Sequence, residues 1–481
     1  MRRLTFRGLI LSVLVTAILP GPALWANSAM GAKVPWESIT HRERAALEQY
    51  LTAPDWPIRV FGLLRLERYT GEKVQQLVHD LIRDEAWQVR CFALRQALRM
   101  DYTITQADLR PDEDATYVVR AALRHGIQLD EAVIEPLATK LMQTKIVDDL
   151  VLGLEIAAAS QIESVQAEAA KRVVMLIRNM NNTVAAVVSR RLAALLGLPR
   201  APTDVQQWNA WLNGQEGKIE FPPLSAFSAR AKLAGPSLVS EMEVDTFSRL
   251  VDYLDTLRQR DLDLVIVMDA TFSMVPMINE ARVGVDGLIL FLNDISRTMR
   301  LAFVAYRDHD AKPVWEGHRF TVEVALIRNF LFNLRIIGGA DLPEAVLEGL
   351  TACGNLNWNP YAARQIILVG DARPHDEDVY KILNLVETYR NEGLTVHAVH
   401  VPTQISKRAE RYMTPQRRAE VQHHNARTAA AFQDIATHGG GRKVTLSDPD
   451  QLVPSIMHTT LQEPWWPAFD EFYDLYLQLC R

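Results

Sequence analysis

Five oxygen-bearing side chains stand where apolar runs and a glycine turn end. Asp269, Thr271 and Ser273 follow directly on the run Leu262 to Met268, and Asp371 follows Ile366 to Val369 after a single residue, Gly370. Asp341 sits in Gly338-Gly339-Ala340-Asp341-Leu342-Pro343-Glu344, a glycine turn ahead of a helix expected from Glu344 to Ala352. A carboxylate and two hydroxyls on one tight loop are hard oxygen donors, the kind that Mg²⁺ or Mn²⁺ prefers. Taken alone, the same triplet also fits a plain helix cap, with Asp269 and the hydroxyls satisfying turn amides. The further carboxylates bear on that choice. Carboxylates that converge repel, so one of them must take up a proton unless a divalent cation removes the conflict.

The elements that must position these groups are short, apolar and rich in β-branched residues. Such runs read as strands of a parallel sheet buried on both faces. In open α/β sheets, ligands bind at the carboxyl ends of the strands, where Asp269 and Asp371 fall.

These motifs resemble the von Willebrand factor type A domain. Its metal-ion-dependent adhesion site uses Asp-x-Ser-x-Ser, a Thr in a later loop and an Asp at the end of a central strand. The resemblance runs from about Asp261 to Leu461. It includes Phe303 to Asp308 as the next strand, Val396 to Val399 as a late strand, Phe432 to Gly441 as the last helix-to-strand turn and Lys443 to Thr445 as the final strand. Thr271 replaces the first Ser of the motif and keeps its hydroxyl. Ala340 stands where the family usually has its Thr, with Asp341 beside it. The resemblance implies an α/β fold, a doubly wound and mostly parallel sheet with helices on both faces. It implies one Mg²⁺ (or Mn²⁺) held by Ser273 and Thr271, with Asp269, Asp371 and Asp341 acting directly or through water. One coordination position would stay open to a carboxylate from a protein partner. The implied function is metal-dependent protein–protein binding without turnover.

A chain of 481 residues is long enough for two or three domains. With 48% hydrophobic and 23% charged residues it reads as globular, and a net charge of −6 gives no electrostatic reason to expect nucleic acid. The first 26 residues read as a signal peptide: Arg2, Arg3 and Arg7, an apolar stretch from Leu9 to Leu19, the break Pro20-Gly21-Pro22, then small residues including Ala26. The stretch is short for a membrane span. An exported protein, periplasmic or extracellular, is expected, with a membrane as partner only if the segment is uncleaved. Three cysteines make no disulfide framework; Cys91 and Cys353 read as buried small hydrophobes and Cys480 as a free thiol.

Residues 36–213 read as an all-α domain. Trp56 to Leu63 and Trp87 to Leu94 share a Trp-x-Val/Ile-Arg-x-Phe-x-Leu pattern at an offset of 31 residues, and Val119-Arg120 continues it weakly. This resembles HEAT-type repeats. It implies either a concave partner-binding solenoid or a packed support for the rest. Arg59, Arg90 and Arg120 are expected to form a structural ladder with preceding acids. Trp208 and Trp211 are expected to cap the helical region. Residues 214–243, with Pro222, Pro223 and Pro236, read as a linker. Residues 244–462 read as the type A domain, opened by an amphipathic helix from Val244 to Arg260, and 463–481 as an aromatic C-terminal helix that packs back or anchors a partner. Pro402 to Asn425 is rich in Arg, Lys and His, a surface helix or a second contact face.

Enzyme readings fit less well. A phosphatase of the haloacid dehalogenase type needs a second acid two residues after its nucleophilic Asp, where Thr271 stands, and an acidic pair four apart late in the chain, where Asp371 has His375. No Gly-x-Ser-x-Gly, P-loop, His-Glu-x-x-His or Gly-x-Gly-x-x-Gly occurs. His309, His375, His423 and His424 read as loop or helix-surface residues, with His375 near the metal face behind the direct ligands. Two alternatives remain beside metal-dependent binding: a helical scaffold with a degenerate metal site, which Ala340 favours, and a metal-dependent hydrolase.

Overall fold

The computed structural model describes residues 33–100, 102, 104–109, 115–144, 147–160, 162–180, 182–202, 204–215, 218, 219, 221, 236–338, 343–403, 413–446 and 448–480. The expected signal segment, most of the expected linker, Ala340 and Asp341 lie outside them. Among the described residues, no helix is long and apolar enough to cross a membrane.

Six strands form one mixed sheet: β1 (Asp261–Asp269), β2 (Thr298–Tyr306), β3 (Trp315–Thr321), β4 (Ala363–Gly370), β5 (Leu394–His400) and β6 (Gly440–Thr445). Their order is β3-β2-β1-β4-β5-β6, with every pair parallel except β2–β3. Chain order therefore reverses at β1, and the crevice between the carboxyl ends of β1 and β4 is the topological switch point. Strand β1 is buried from Leu262 to its end, which is why its sequence is almost continuously apolar. The one interior charge on β1, Asp263, is clasped by the Arg300 guanidinium at 2.6 and 2.8 Å. The antiparallel edge strand β3 was not expected. Its sequence, Trp315 to Thr321, is polar and half exposed, so it has no apolar run to announce it.

Helices cover both faces. Val346–Gly354, Val379–Asn391 and Pro415–His438 pack on one side, around a core that includes Val265, Val267, Ile366, Leu368 and Phe432. Val275–Asp294 packs on the other. The helix expected from Glu344 starts at Val346, because Glu344 forms an isolated bridge with Pro374 instead. Strand β2 stops at Tyr306; Arg307 turns inward, fully buried, and its Nε donates to the Arg335 carbonyl at 3.2 Å.

Before the sheet the chain is helical from His41–Leu51 to Val205–Gly214, with short 3₁₀ turns and a two-residue parallel pairing of Val34–Pro35 with Tyr69–Thr70. The two 31-spaced segments open the helices Trp56–Arg65 and Trp87–Arg99, which pack on each other. Of these arginines, Arg59 pairs with acids that follow it, not with a preceding one as expected. Arg59 donates to the carbonyls of Ala53 and Pro54 and to Asp84, which follows it; Arg90 donates to the carbonyls of Asp84 and Glu85. Arg120 reaches Glu155, also downstream, at 3.3 Å. Each arginine thus ties a helix start to the turn before it or to the next helix. Trp208 is fully buried, with its indole N–H donating to Ser189 Oγ at 2.8 Å.

The C-terminal helix Trp466–Cys480 packs back. Phe472 meets Phe61, Phe92 and Phe291 with ring centroids 4.9, 5.7 and 5.4 Å apart. It thereby joins the first helices and Val275–Asp294 into one continuous core. Cys480 is buried beside Cys91, and burial pushes its thiol well above the ordinary range, so the expected free thiol is sequestered.

Candidate metal centre

Strand β1 carries Asp269 to the sheet rim and leaves it fully buried. The chain then turns at Ala270, whose N–H donates to the Tyr306 carbonyl at 2.8 Å. Two residues on, the Thr271 N–H and hydroxyl both donate to Asp269 Oδ1, at 2.8 and 2.7 Å. Thr271 Oγ1 lies 3.1 Å from Ser273 Oγ, so the three motif oxygens form one cluster. Ser273 also lies near enough to the Asp371 carboxyl to favour its charged form. The sequence-expected residues Asp269, Thr271, Ser273 and Asp371 are therefore brought together; Asp341 lies outside the described residues. Ile337 and Gly338 are tied to the site: the Phe272 N–H donates to the Gly338 carbonyl at 3.4 Å and the Ile337 N–H to the Ala270 carbonyl at 3.2 Å.

The second oxygen of Asp269, Oδ2, is buried and has no hydrogen-bond partner. Burial, and then the charge of Asp371, push the Asp269 carboxyl up to about 8. Asp371 is also raised, chiefly by burial, and Ser273 and His424 work against the shift. A contact between the two carboxyls is a hydrogen bond only if one of them carries a proton. The pair therefore suits either one shared proton or one cation. Two buried carboxylates, two hydroxyls and an orphaned oxygen fit a hard divalent cation, which takes oxygen ligands and keeps some water.

Three further residues shape this centre. A Cβ at Gly370 would lie 2.5 Å from Tyr306 Oη, 3.3 Å from Phe432 and 3.5 Å from Asp269 Cβ, so only glycine lets the two central strands deliver their acids this closely. Tyr306 is fully buried, and burial and the charges of Asp269, Glu344 and Asp371 keep its phenol protonated. His424 was expected on a helix surface. Its Nε2 instead donates to the Asp371 carbonyl at 2.9 Å, pinning the late loop to the helix Pro415–His438. Gly370 stood between an apolar run and an acid, which is a readable signal; Tyr306 and His424 had none, because their proximity arises from strand order and helix packing.

At the mouth of the site Phe272 is 64% exposed, directly after the fully buried Thr271.

Residues 263–448 match the family described as von Willebrand factor A domain. Among curated proteins, the chain is 28% identical over 127 residues to the alpha-protein kinase vwkA of Dictyostelium discoideum, a match covering 25% of this chain. The chain spans 20% of the length of that relative. Among solved structures, it is similar to the conserved hypothetical protein BatB from Bacteroides thetaiotaomicron (14% identity, 41% of this chain and 97% of that one, TM-score 0.30). It is also similar to the pilus adhesin SpaC from Lactobacillus rhamnosus GG in its open conformation (12% identity, 44% and 30%, TM-score 0.32). The segment 263–448 is thus a von Willebrand factor A domain, with Asp269 and Asp371 at the carboxyl ends of its two central strands.

Proposed function

We propose that this chain binds a protein partner through a divalent cation, Mg²⁺ or Mn²⁺, held at the rim of its von Willebrand factor A domain. The observation that carries this reading is the buried carboxylate pair, Asp269 and Asp371, with Asp269 Oδ2 unpartnered and the Thr271 and Ser273 hydroxyls gathered on the other oxygens. Thr271 and Ser273 would offer their hydroxyls to the cation, and Asp269, Asp371 and Asp341 their carboxylates, directly or through water. When bound, the cation supplies Lewis-acid attraction for an incoming carboxylate. Exposed Phe272 would then give the partner an apolar contact beside that link.

Binding without turnover, export through the N-terminal segment, and a HEAT-like character of the 31-residue recurrence belong to the same proposal. A metal-dependent hydrolase is the weaker alternative: turnover of a phosphoester or ester that Asp269→Ala abolishes would favour it. One sequence feature supports a different reading. Ala340, in place of the family's Thr, removes a hydroxyl from the ligand set and favours a scaffold whose helical region does the binding.

Calorimetry on the full chain tests the proposal, with wild type beside Asp269→Ala. Saturable one-site Mg²⁺ or Mn²⁺ binding that the substitution removes is the expected result. A folded wild type that binds neither ion would overturn it and move attention to the helical region.

A further inference from the structure

A second cluster of metal-ligating side chains lies on the same rim and contains no residue of the first. Asp308 follows the end of β2, His309 is next to it, His375 comes from the loop after β4, and Glu348 from the helix Val346–Gly354. Three separate segments thus converge. His375 Nε2 lies 2.7 Å from Asp308 Oδ1, and His309 Nε2 lies 3.0 Å from Glu348 Oε1. The two imidazoles stack with centroids 4.6 Å apart and planes 9° from parallel. One ligand atom each from Asp308, His309 and His375 all fall within 4.8 Å of one another, and the same holds for His309, Glu348 and Asp378.

We propose that Asp308, His309 and His375 form a second metal site, for a transition ion of the Zn²⁺ class, with Glu348 orienting His309. The donor chemistry separates it from the first site. Two imidazoles with carboxylates suit Zn²⁺ and its neighbours, whereas the all-oxygen set around Asp269 suits Mg²⁺ or Mn²⁺. Tetrahedral zinc with bonds of roughly 2.0–2.1 Å sets its ligand atoms about 3.3 Å apart, so the cluster closes on an ion by small side-chain rotations. Burial grades across the site in the way an accessible centre needs. Asp308 is buried, His375 half-buried and His309 exposed, which leaves a coordination position facing solvent. Asp378 is already engaged by the Lys381 ammonium at 2.7 Å, and Glu348 holds His309 from outside the trio.

The competing account is that the two His–carboxylate pairs merely staple the loops after β2 and β4 together. Cobalt separates the two, because Co²⁺ in an imidazole–carboxylate site of low coordination absorbs in the visible and zinc displaces it. On the full chain, wild type and Asp269→Ala are expected to bind one Co²⁺ with visible bands that Zn²⁺ removes. In His309→Ala/His375→Ala the bands should vanish and Zn²⁺ affinity fall by about 100-fold or more, while Mg²⁺ binding at Asp269 persists. The exposed single substitution His309→Gln, checked for folding by circular dichroism, gives a second reading should the double variant unfold. No visible bands in wild type, or bands that survive both histidine variants, would overturn the proposal. So would bands lost in Asp269→Ala, since the cobalt would then occupy the first centre. The Mg²⁺ arm keeps failure of this site distinct from failure of the first.

Discussion

At the scale of single residues, the rim centre turns on one buried carboxylate oxygen. Asp269 Oδ2 makes no hydrogen bond, and its carboxyl is pushed up by burial and by Asp371. Asp269→Ala is expected to weaken Mg²⁺ binding by at least about 100-fold. With the repulsive pair gone, it should leave the metal-free protein as stable as wild type or more so, as thermal unfolding would report. Unchanged Mg²⁺ affinity would remove Asp269 from the centre. Gly370→Ala probes geometry instead of charge. Its new Cβ meets Tyr306 Oη inside van der Waals contact, and Phe432 is close behind. A loss of about 1–3 kcal/mol in denaturant unfolding is expected, as for other overpacked interiors. At this scale the sequence was most legible: Asp269, Thr271, Ser273 and Asp371 meet because all four sit at the ends of strands that their own apolar runs announce. Tyr306 was legible only as a strand residue, and His424 only as a helical one.

At the scale of elements, two pieces hold the domain to its surroundings. The helix Trp466–Cys480 inserts Phe472 among Phe61, Phe92 and Phe291, rings from three other helices. Phe472→Ala is expected to cost about 3–5 kcal/mol. It should also lower the unfolding of the helical region and of the sheet together, which urea titration followed by two probes would show; loss confined to one would argue against the shared core. Strand β5 carries a pH sensitivity. His397 is buried, its Nδ1 accepts the Arg442 amide at 3.1 Å, and burial followed by Arg442 pushes its pKa down to about 4. The unfolded chain protonates near the ordinary value of ~6.5 and the folded one only near 4. Stability from this residue is therefore fully present above about pH 6.5 and is lost on acidification toward 4, by up to about 3 kcal/mol. His397→Gln should flatten that limb of the stability–pH curve; an unchanged slope would assign the acid sensitivity elsewhere. The amphipathic and aromatic patterns of these helices could be read in advance. The edge strand β3 could not, because half-exposed polar residues carry no periodic signal.

For the whole molecule, a cation that binds only the folded chain must stabilise it. Mg²⁺ at a hundred times its dissociation constant should raise the unfolding free energy by about 2.7 kcal/mol in wild type and not in Asp269→Ala. Partner capture should follow the same dependence and fail in chelator; capture indifferent to chelation would point to the helical region. The continuous core means that this region and the von Willebrand factor A domain are packed as neighbours on the C-terminal helix.

The sequence by itself determined which residues would stand at strand ends, because burial on both faces demands apolar runs and the runs stop where the acids begin. It also marked the aromatic tail as needing cover, by packing back or by a partner, because so much aromatic surface is poorly tolerated in water. Only the tertiary structure decided which strand ends are neighbours. Placing β4 beside β1 sets Asp371 against Asp269, and the turn after β2 sets Asp308 and His309 against His375. Both meetings join residues tens of positions apart, through parallel pairings and loop packing that no local pattern encodes.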